Sequence, residues 1–197
     1  MAEQDRALNT VEELERLAAQ IRACTKCDLA AGRTQAVPGE GNPRAMIMFV
    51  GEAPGAKEDA TGRPFVGASG KFLDNMLRDI GLERADVFIA NVNRCRPPNN
   101  RDPNPVEVAA CSSYLHAQIQ TIRPRVICPL GRFALAVLVD PQWQISKVHG
   151  QLFERDGTLI VPLYHPAAAL HRQDLRDTLL ADMRHLRALL EERGLWK

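Results

Sequence analysis

The chain has 197 residues, 45% hydrophobic and 25% charged, which suits one globular domain with a sizeable core and leaves little room for a second. A formal charge of +1 excludes a protein that gathers nucleic acid through its overall field, so any such affinity must come from a local cluster of Arg and Lys. No apolar run approaches the roughly 20 residues of a membrane span, and Glu3 and Asp5 stand where a secretory leader would be basic, so a cytoplasmic protein without membrane contact is expected.

Along the chain, Thr10 and Glu13 have the spacing of a capping box, and Val11, Leu14, Leu17 and Ile21 fall along one face. Together they predict an N-terminal helix leading into Cys24 and Cys27. A Gly- and Pro-rich loop from Gly32 to Pro43 precedes a predicted strand, Met46 to Val50, which stops at Gly51. Val87 to Ala90, Val126 to Leu130 and Leu159 to Leu163 are further short apolar runs without polar alternation, the pattern of strands buried on both faces. Helical periodicity fills the gaps: Lys71 to Ile80, ending at Gly81, then Val106 to Ile122 and Leu175 to Leu190. Alternating strands and helices predict an α/β fold with a parallel sheet covered on both sides. In such sheets functional loops gather at the carboxyl ends of the strands.

The distinctive sequences all follow strands. After the first comes Gly51-Glu52-Ala53-Pro54-Gly55, trailed by Glu58-Asp59 and Gly62-Arg63-Pro64-Phe65-Val66-Gly67. After the second comes Asn91-Val92-Asn93-Arg94-Cys95-Arg96-Pro97-Pro98, with Asn100-Arg101 close behind, and after the fourth comes His165-Pro166-Ala167. Singly these are ordinary turns; in this order they are specific. From Cys24 to about Leu170 the chain resembles the family 4 uracil-DNA glycosylases. That resemblance implies a single domain over residues 1–197, a three-layer α/β/α sandwich around a four-stranded parallel sheet. It also implies a DNA repair hydrolase that flips deoxyuridine out of single- or double-stranded DNA and cleaves its N-glycosidic bond, leaving an abasic site.

The implied roles fit the chemistry. Cleavage leaves negative charge on the departing uracil, so donors are needed at the base oxygens, and His165 matches the family's donor to O2. Reading uracil against cytosine needs a donor and an acceptor in one plane; Asn91 matches the family's amide, with Asn93 the local competitor. Phe65 matches the aromatic that stacks on the everted base. Glu52 matches an acidic residue with two open roles, positioning the attacking water or crowding the C5 edge against thymine. Ala53 stands where other uracil glycosylase families carry an Asp, and its backbone amide is a further base or water contact. Each has a plainer reading, as a core histidine, a strand-end cap, a core aromatic or a solvated carboxylate.

Five cysteines are an odd count for a disulfide framework. Cys24 and Cys27 form a C-x2-C pair, with 67 residues from Cys27 to Cys95 and 15 from Cys95 to Cys111, a spacing that suits zinc and an iron-sulfur cubane equally. The resemblance implies a 4Fe-4S cluster on these four, tying the N-terminal helix to the core. Cys128, inside the third strand, reads as a core thiol. For DNA, Leu170 is the candidate wedge. Ser69, Gly70 and Gly131, at predicted helix starts, are candidate backbone donors to phosphate, and Lys147, His149 and Arg172 candidate charges. The Arg residues from Arg172 to Arg193 read as a solvated helix face. A monomer is expected. One rival is a covalent uracil-DNA binder, which would carry a basic, His-bearing insertion where Arg101-Asp102-Pro103 stands; another is a non-catalytic iron-sulfur or zinc nucleic-acid module.

Overall fold

The computed structural model describes the backbone of residues 2–196 and the side chains of 9–196; Glu3 and Asp5, invoked above, lie outside the described side chains. Four parallel strands form the centre: β2 (Ile47–Gly51), β3 (Phe88–Asn91), β4 (Val126–Pro129) and β6 (Thr158–Ile160). Two short strands close the edges antiparallel, β1 (Glu40–Gly41) on β3 and β5 (Phe153–Arg155) on β6. The sheet order is β1-β3-β2-β4-β6-β5, so the four expected parallel strands are the centre of a mixed sheet of six. The two added strands are two and three residues long, too short to give a period-2 pattern in the sequence.

β2, β3 and β4 bury apolar residues on both faces. Ile47, Phe49, Ile89, Val126 and Cys128 face one layer, where α4 (Ala68–Asp79) contributes Phe72, Leu73, Met76 and Leu77 and α8 (Gln173–Glu192) contributes Leu179, Met183, Leu186 and Leu190. Met48, Val50, Phe88, Ala90 and Ile127 face the other, under Leu115 and Ile122 of α5 (Pro105–Ile122) and Ala134 of α6 (Gly131–Leu138). The alternation is therefore between two cores, which is why no polar alternation marks the strands. The α/β/α sandwich is as expected.

The helix readings move at their ends, α4 starting at Ala68 instead of Lys71 and α8 at Gln173 instead of Leu175. The first helix, α1, runs Ala2–Arg22, so Thr10 lies inside it and does not cap it; apolar periodicity located the helix, whereas the capping signal misplaced its start. α5 begins at Pro105 under a true capping box between Asn104 and Glu107. The short helices α2 (Leu29–Gly32), α3 (Ala56–Thr61) and α7 (Ile145–Val148) fill the connections. From β2 the chain crosses to β3 on one side, then returns over β2 to β4 on the other, which makes the carboxyl edge beside β2 the topological switch point.

Candidate active site

A cleft of about 370 Å³ opens at that edge, lined by Glu52 and Ala53 after β2, Phe65 and Ser69 around the start of α4, Asn91 at the end of β3 and His165. Six of the sequence-predicted residues thus meet in one cavity. The sheet spaces them: Gly51 faces Asn91 in the β2–β3 ladder, and an isolated bridge pairs Leu130 with Leu163 just before His165. Asn91 is 2% exposed and its Oδ1 has no hydrogen-bond partner among the described residues. Asn93, its competitor, is fully buried with both amide atoms likewise unpartnered, and does not line the cleft.

His165 caps a 3₁₀ turn, Pro166–Ala169, and its Nδ1 accepts the backbone N–H of Ala167 at 3.1 Å. The ring proton therefore belongs on Nε2 when the imidazole is neutral. Burial pulls the His165 pKa down to about 4, opposed in part by the Glu58 carboxylate, so at neutral pH the ring is an uncharged donor. Its ring stands 5.6 Å from that of Phe65 at an interplanar angle of 32°.

Phe65 holds a left-handed backbone, φ 51°, a conformation costing a bulky side chain about 1–2 kcal/mol. Two glycines make room for it: a Cβ on Gly70 would stand 1.8 Å from the Phe65 carbonyl oxygen, and one on Gly51 would stand 2.6 Å from Phe65 Cζ and 2.4 Å from Asn91 Oδ1. Two charged residues hold its loop. Glu58 Oε1 accepts the N–H groups of Val66 at 2.8 Å and Gly67 at 2.7 Å, and Arg84 donates to the carbonyls of Pro64 at 2.7 Å and Phe65 at 3.1 Å.

Glu52 is half-buried. Desolvation raises its pKa, the Asp102 carboxylate adds to the effect, and Arg132 opposes it. Arg132, in the first turn of α6, pairs with Asp102 at 2.5 Å, joining that helix to the loop after β3. Glu58, Asn100 and Arg101 also line the cleft; the sequence placed them in its motifs without giving them a role. Charged residues in Gly- and Pro-rich loops were the available signal.

The remaining predicted residues lie apart. Gly131, φ 84°, backs His165, whose Cβ would sit 2.9 Å from a Cβ placed there. Leu170 is half-buried against the core cluster and does not line the cleft. Arg172 pairs with Asp174, and His149 Nδ1 lies 2.8 Å from Asp182. In α8, Arg184 and Arg187 pair with Asp79 and Glu191, as a solvated helix face would.

A second cavity is ringed by Cys24, Cys27, Cys95 and Cys111, together with Arg33, Arg94 and Tyr114. Arg33 donates to Cys95 Sγ at 3.3 Å, and the backbone N–H of Arg94 donates to Cys111 Sγ at 3.3 Å. The Arg94 guanidinium is buried, bonded to Gln118 Oε1 at 2.7 Å, and burial lowers its pKa to about 10. Four thiols with N–H donors on two sulfurs fit thiolate ligands of a shared group. Among the described residues no three His, Cys, Asp or Glu side chains converge on a point suited to one ion; the thiols stand around a cavity. Cys128 is fully buried elsewhere and burial pushes its thiol far up, the behaviour of an inert core residue.

A doubly wound sheet with a cleft of about 370 Å³ at its switch point places the molecule among the α/β proteins whose ligand sites lie at the carboxyl ends of the strands. The family model described as the uracil DNA glycosylase superfamily matches residues 38–187. The chain is 48% identical to the type-4 uracil-DNA glycosylase of Archaeoglobus fulgidus over 89% of its own length and 92% of that protein. It is 47% identical to the one from Sulfurisphaera tokodaii (91% and 86% covered) and 44% identical to the one from Thermotoga maritima (94% and 99%). The chain belongs to the uracil DNA glycosylase superfamily, in its type-4 branch. Among the described residues no helix is long and apolar enough to cross a membrane.

Proposed function

We infer that this protein excises uracil from DNA, binding the everted deoxyuridine in the cleft at the carboxyl edge of the sheet and hydrolysing its N-glycosidic bond. The convergence of Glu52, Phe65, Asn91 and His165 in one cavity carries this reading. The base stacks on Phe65, and the Asn91 amide, whose buried Oδ1 is unpartnered, pairs with the O4 and N3–H edge. As the bond from N1 to C1′ breaks, its electron pair leaves with the base, and the charge gathering at O2 meets the Nε2–H of neutral His165. A neutral donor gains strength as the anion forms without holding a cation in a desolvated site. Glu52, its carboxylate made more basic by burial, accepts the proton of the water that adds to C1′. Ser69 and the start of α6 at Gly131 supply backbone contacts to flanking phosphates, and Leu170 is the wedge.

The four thiols fit a 4Fe-4S cluster, since each iron of a cubane takes one thiolate and the sulfurs then stand apart around a cavity. When bound, the cluster would crosslink the segment after α1 to the Cys95–Cys111 stretch, adding to the packing of Leu17 and Ile21 against Tyr114 within a single domain; hydrolysis would use no electron from it.

The decisive assay is release of uracil, leaving an abasic site, from single- and double-stranded oligonucleotides at substrate excess. Repeated turnover is expected; a stoichiometric covalent complex, or binding without release, would replace this reading by a trapping or non-catalytic one.

A further inference from the structure

We propose that Arg84 is a positioning residue for the stacking ring of Phe65, acting by clamping the carbonyl side of the Pro64–Gly67 loop. The inference rests on the reading of Phe65 as the base-stacking side chain.

Arg84 lies between α4 and β3, far from Phe65 in sequence, and it is largely buried, its side chain 22% exposed. A guanidinium has five N–H donors in a planar fork, and here five contacts use them. Nε and Nη2 both reach Glu40 Oε1, at 3.2 and 2.6 Å; Nη1 reaches Asp74 Oδ1 at 2.9 Å. The remaining two go to main-chain oxygens, Nη2 to Pro64 and Nη1 to Phe65. The two carboxylates aim the fork: Glu40 comes from edge strand β1 and Asp74 from α4, so the guanidinium is fixed by two separate elements. Glu40 in turn is held by Arg63, whose Nε lies 2.7 Å from Glu40 Oε2.

The opposite side of the same loop is held by Glu58 through the Val66 and Gly67 N–H groups. Phe65 sits between the two grips at φ 51°, a conformation that a residue with a bulky side chain leaves when its main chain is released. The clamp thus keeps a strained backbone in place, and the strain aims the ring at the cleft beside His165. A ring ordered before substrate arrives loses little freedom when a base stacks on it, so the clamp acts on binding of the everted base more than on bond cleavage. An ion-pair network serving stability alone would need only the contacts to Glu40 and Asp74, and Lys would suffice for those. It would not suffice for two carbonyls as well, because an ammonium is a point donor without the fork.

The test is single-turnover excision from a uracil-containing single-stranded oligonucleotide by Arg84→Lys, Phe65→Ala and the double variant. Arg84→Lys is expected to raise the half-saturating enzyme concentration on the order of 10-fold with a much smaller change in the saturating rate. In the Phe65→Ala background the same substitution is expected to change it less than about 2-fold, since both act through one ring. Equal effects in the two backgrounds, or wild-type half-saturation in Arg84→Lys, would overturn the clamp. A second readout needs no catalysis: with fluorophenylalanine at all six Phe positions, Arg84→Lys should shift and broaden the fluorine signal lost in Phe65→Leu and leave the others. An unmoved signal refutes the clamp even if the wild type releases no uracil, and that failure would instead strike the functional reading.

Discussion

The backbone N–H of Ala167 points at Nδ1 of His165 from 3.1 Å, and this one contact decides which ring nitrogen can donate into the cleft. It also ties the donor to the 3₁₀ turn that Pro166 begins, so orientation and tautomer come from the same short segment.

Nitrogen-15 spectra of His165 should therefore show the Nε2–H neutral tautomer at pH 7, with titration only near pH 4. The linkage has a definite sign. The unfolded imidazole, near its ordinary 6.5, binds a proton before the native one at about 4, so this contribution to stability is present above pH 6.5 and is lost as pH falls toward 4. Titration near 6.5 in the folded protein would contradict the neutral-donor mechanism. Removing the donor, His165→Ala, should cost about 10²-fold or more in single-turnover rate.

Asn91→Asp replaces a donor and acceptor by two acceptors at neutral pH. Uracil excision should drop about 10²-fold or more, and the ratio of uracil to cytosine excision should fall with it. Matched oligonucleotides carrying U or C at one position measure both; an unchanged ratio would move base reading away from Asn91.

Glu52→Gln keeps the shape and removes the basicity. If the carboxylate accepts the water's proton, the saturating rate should fall about 10²-fold or more while thymine stays excluded. A near-normal rate would assign Glu52 to steric exclusion, which Glu52→Ala would then relax toward thymine.

Gly51→Ala should harm activity more than folding. Its new Cβ would press on Asn91 Oδ1 and Phe65 Cζ together, at 2.4 and 2.6 Å, displacing both base contacts. Misplacement on that scale costs about 10²-fold in rate. Thermal melting read beside single-turnover rates separates this from simple destabilisation.

Anaerobically purified protein should be brown and carry about four irons per chain, and Cys95→Ser should lose the colour and melt earlier. A colourless, zinc-loaded preparation would overturn the cluster assignment.

Much of this was legible in the sequence, for identifiable reasons. Strands such as Ile47–Gly51 are buried on both faces, so they appear as unbroken apolar runs with motifs at their ends. What local pattern does not encode stayed hidden. β1 pairs with β3 through two residues, and Arg84 meets Glu40 across 44 positions, contacts that only the folded chain creates. Thr10 misled because capping-box spacing also occurs inside a helix, and α1 begins at Ala2. The choice of Asn91 over Asn93 came from the resemblance; geometrically both are buried and only the first lines the cleft.

Because Gly51 stands opposite Asn91 in the ladder and Leu130 opposite Leu163, main-chain hydrogen bonds fix the strand that ends in the Asn91 amide relative to the segment that leads into His165. Trimming core residues of the layer that does not hold Phe65, such as Leu115 or Ile122, should then lower the melting point while survivors turn over at an undiminished rate. Sequence drift in that layer is tolerable to the chemistry up to the point where the chain no longer folds.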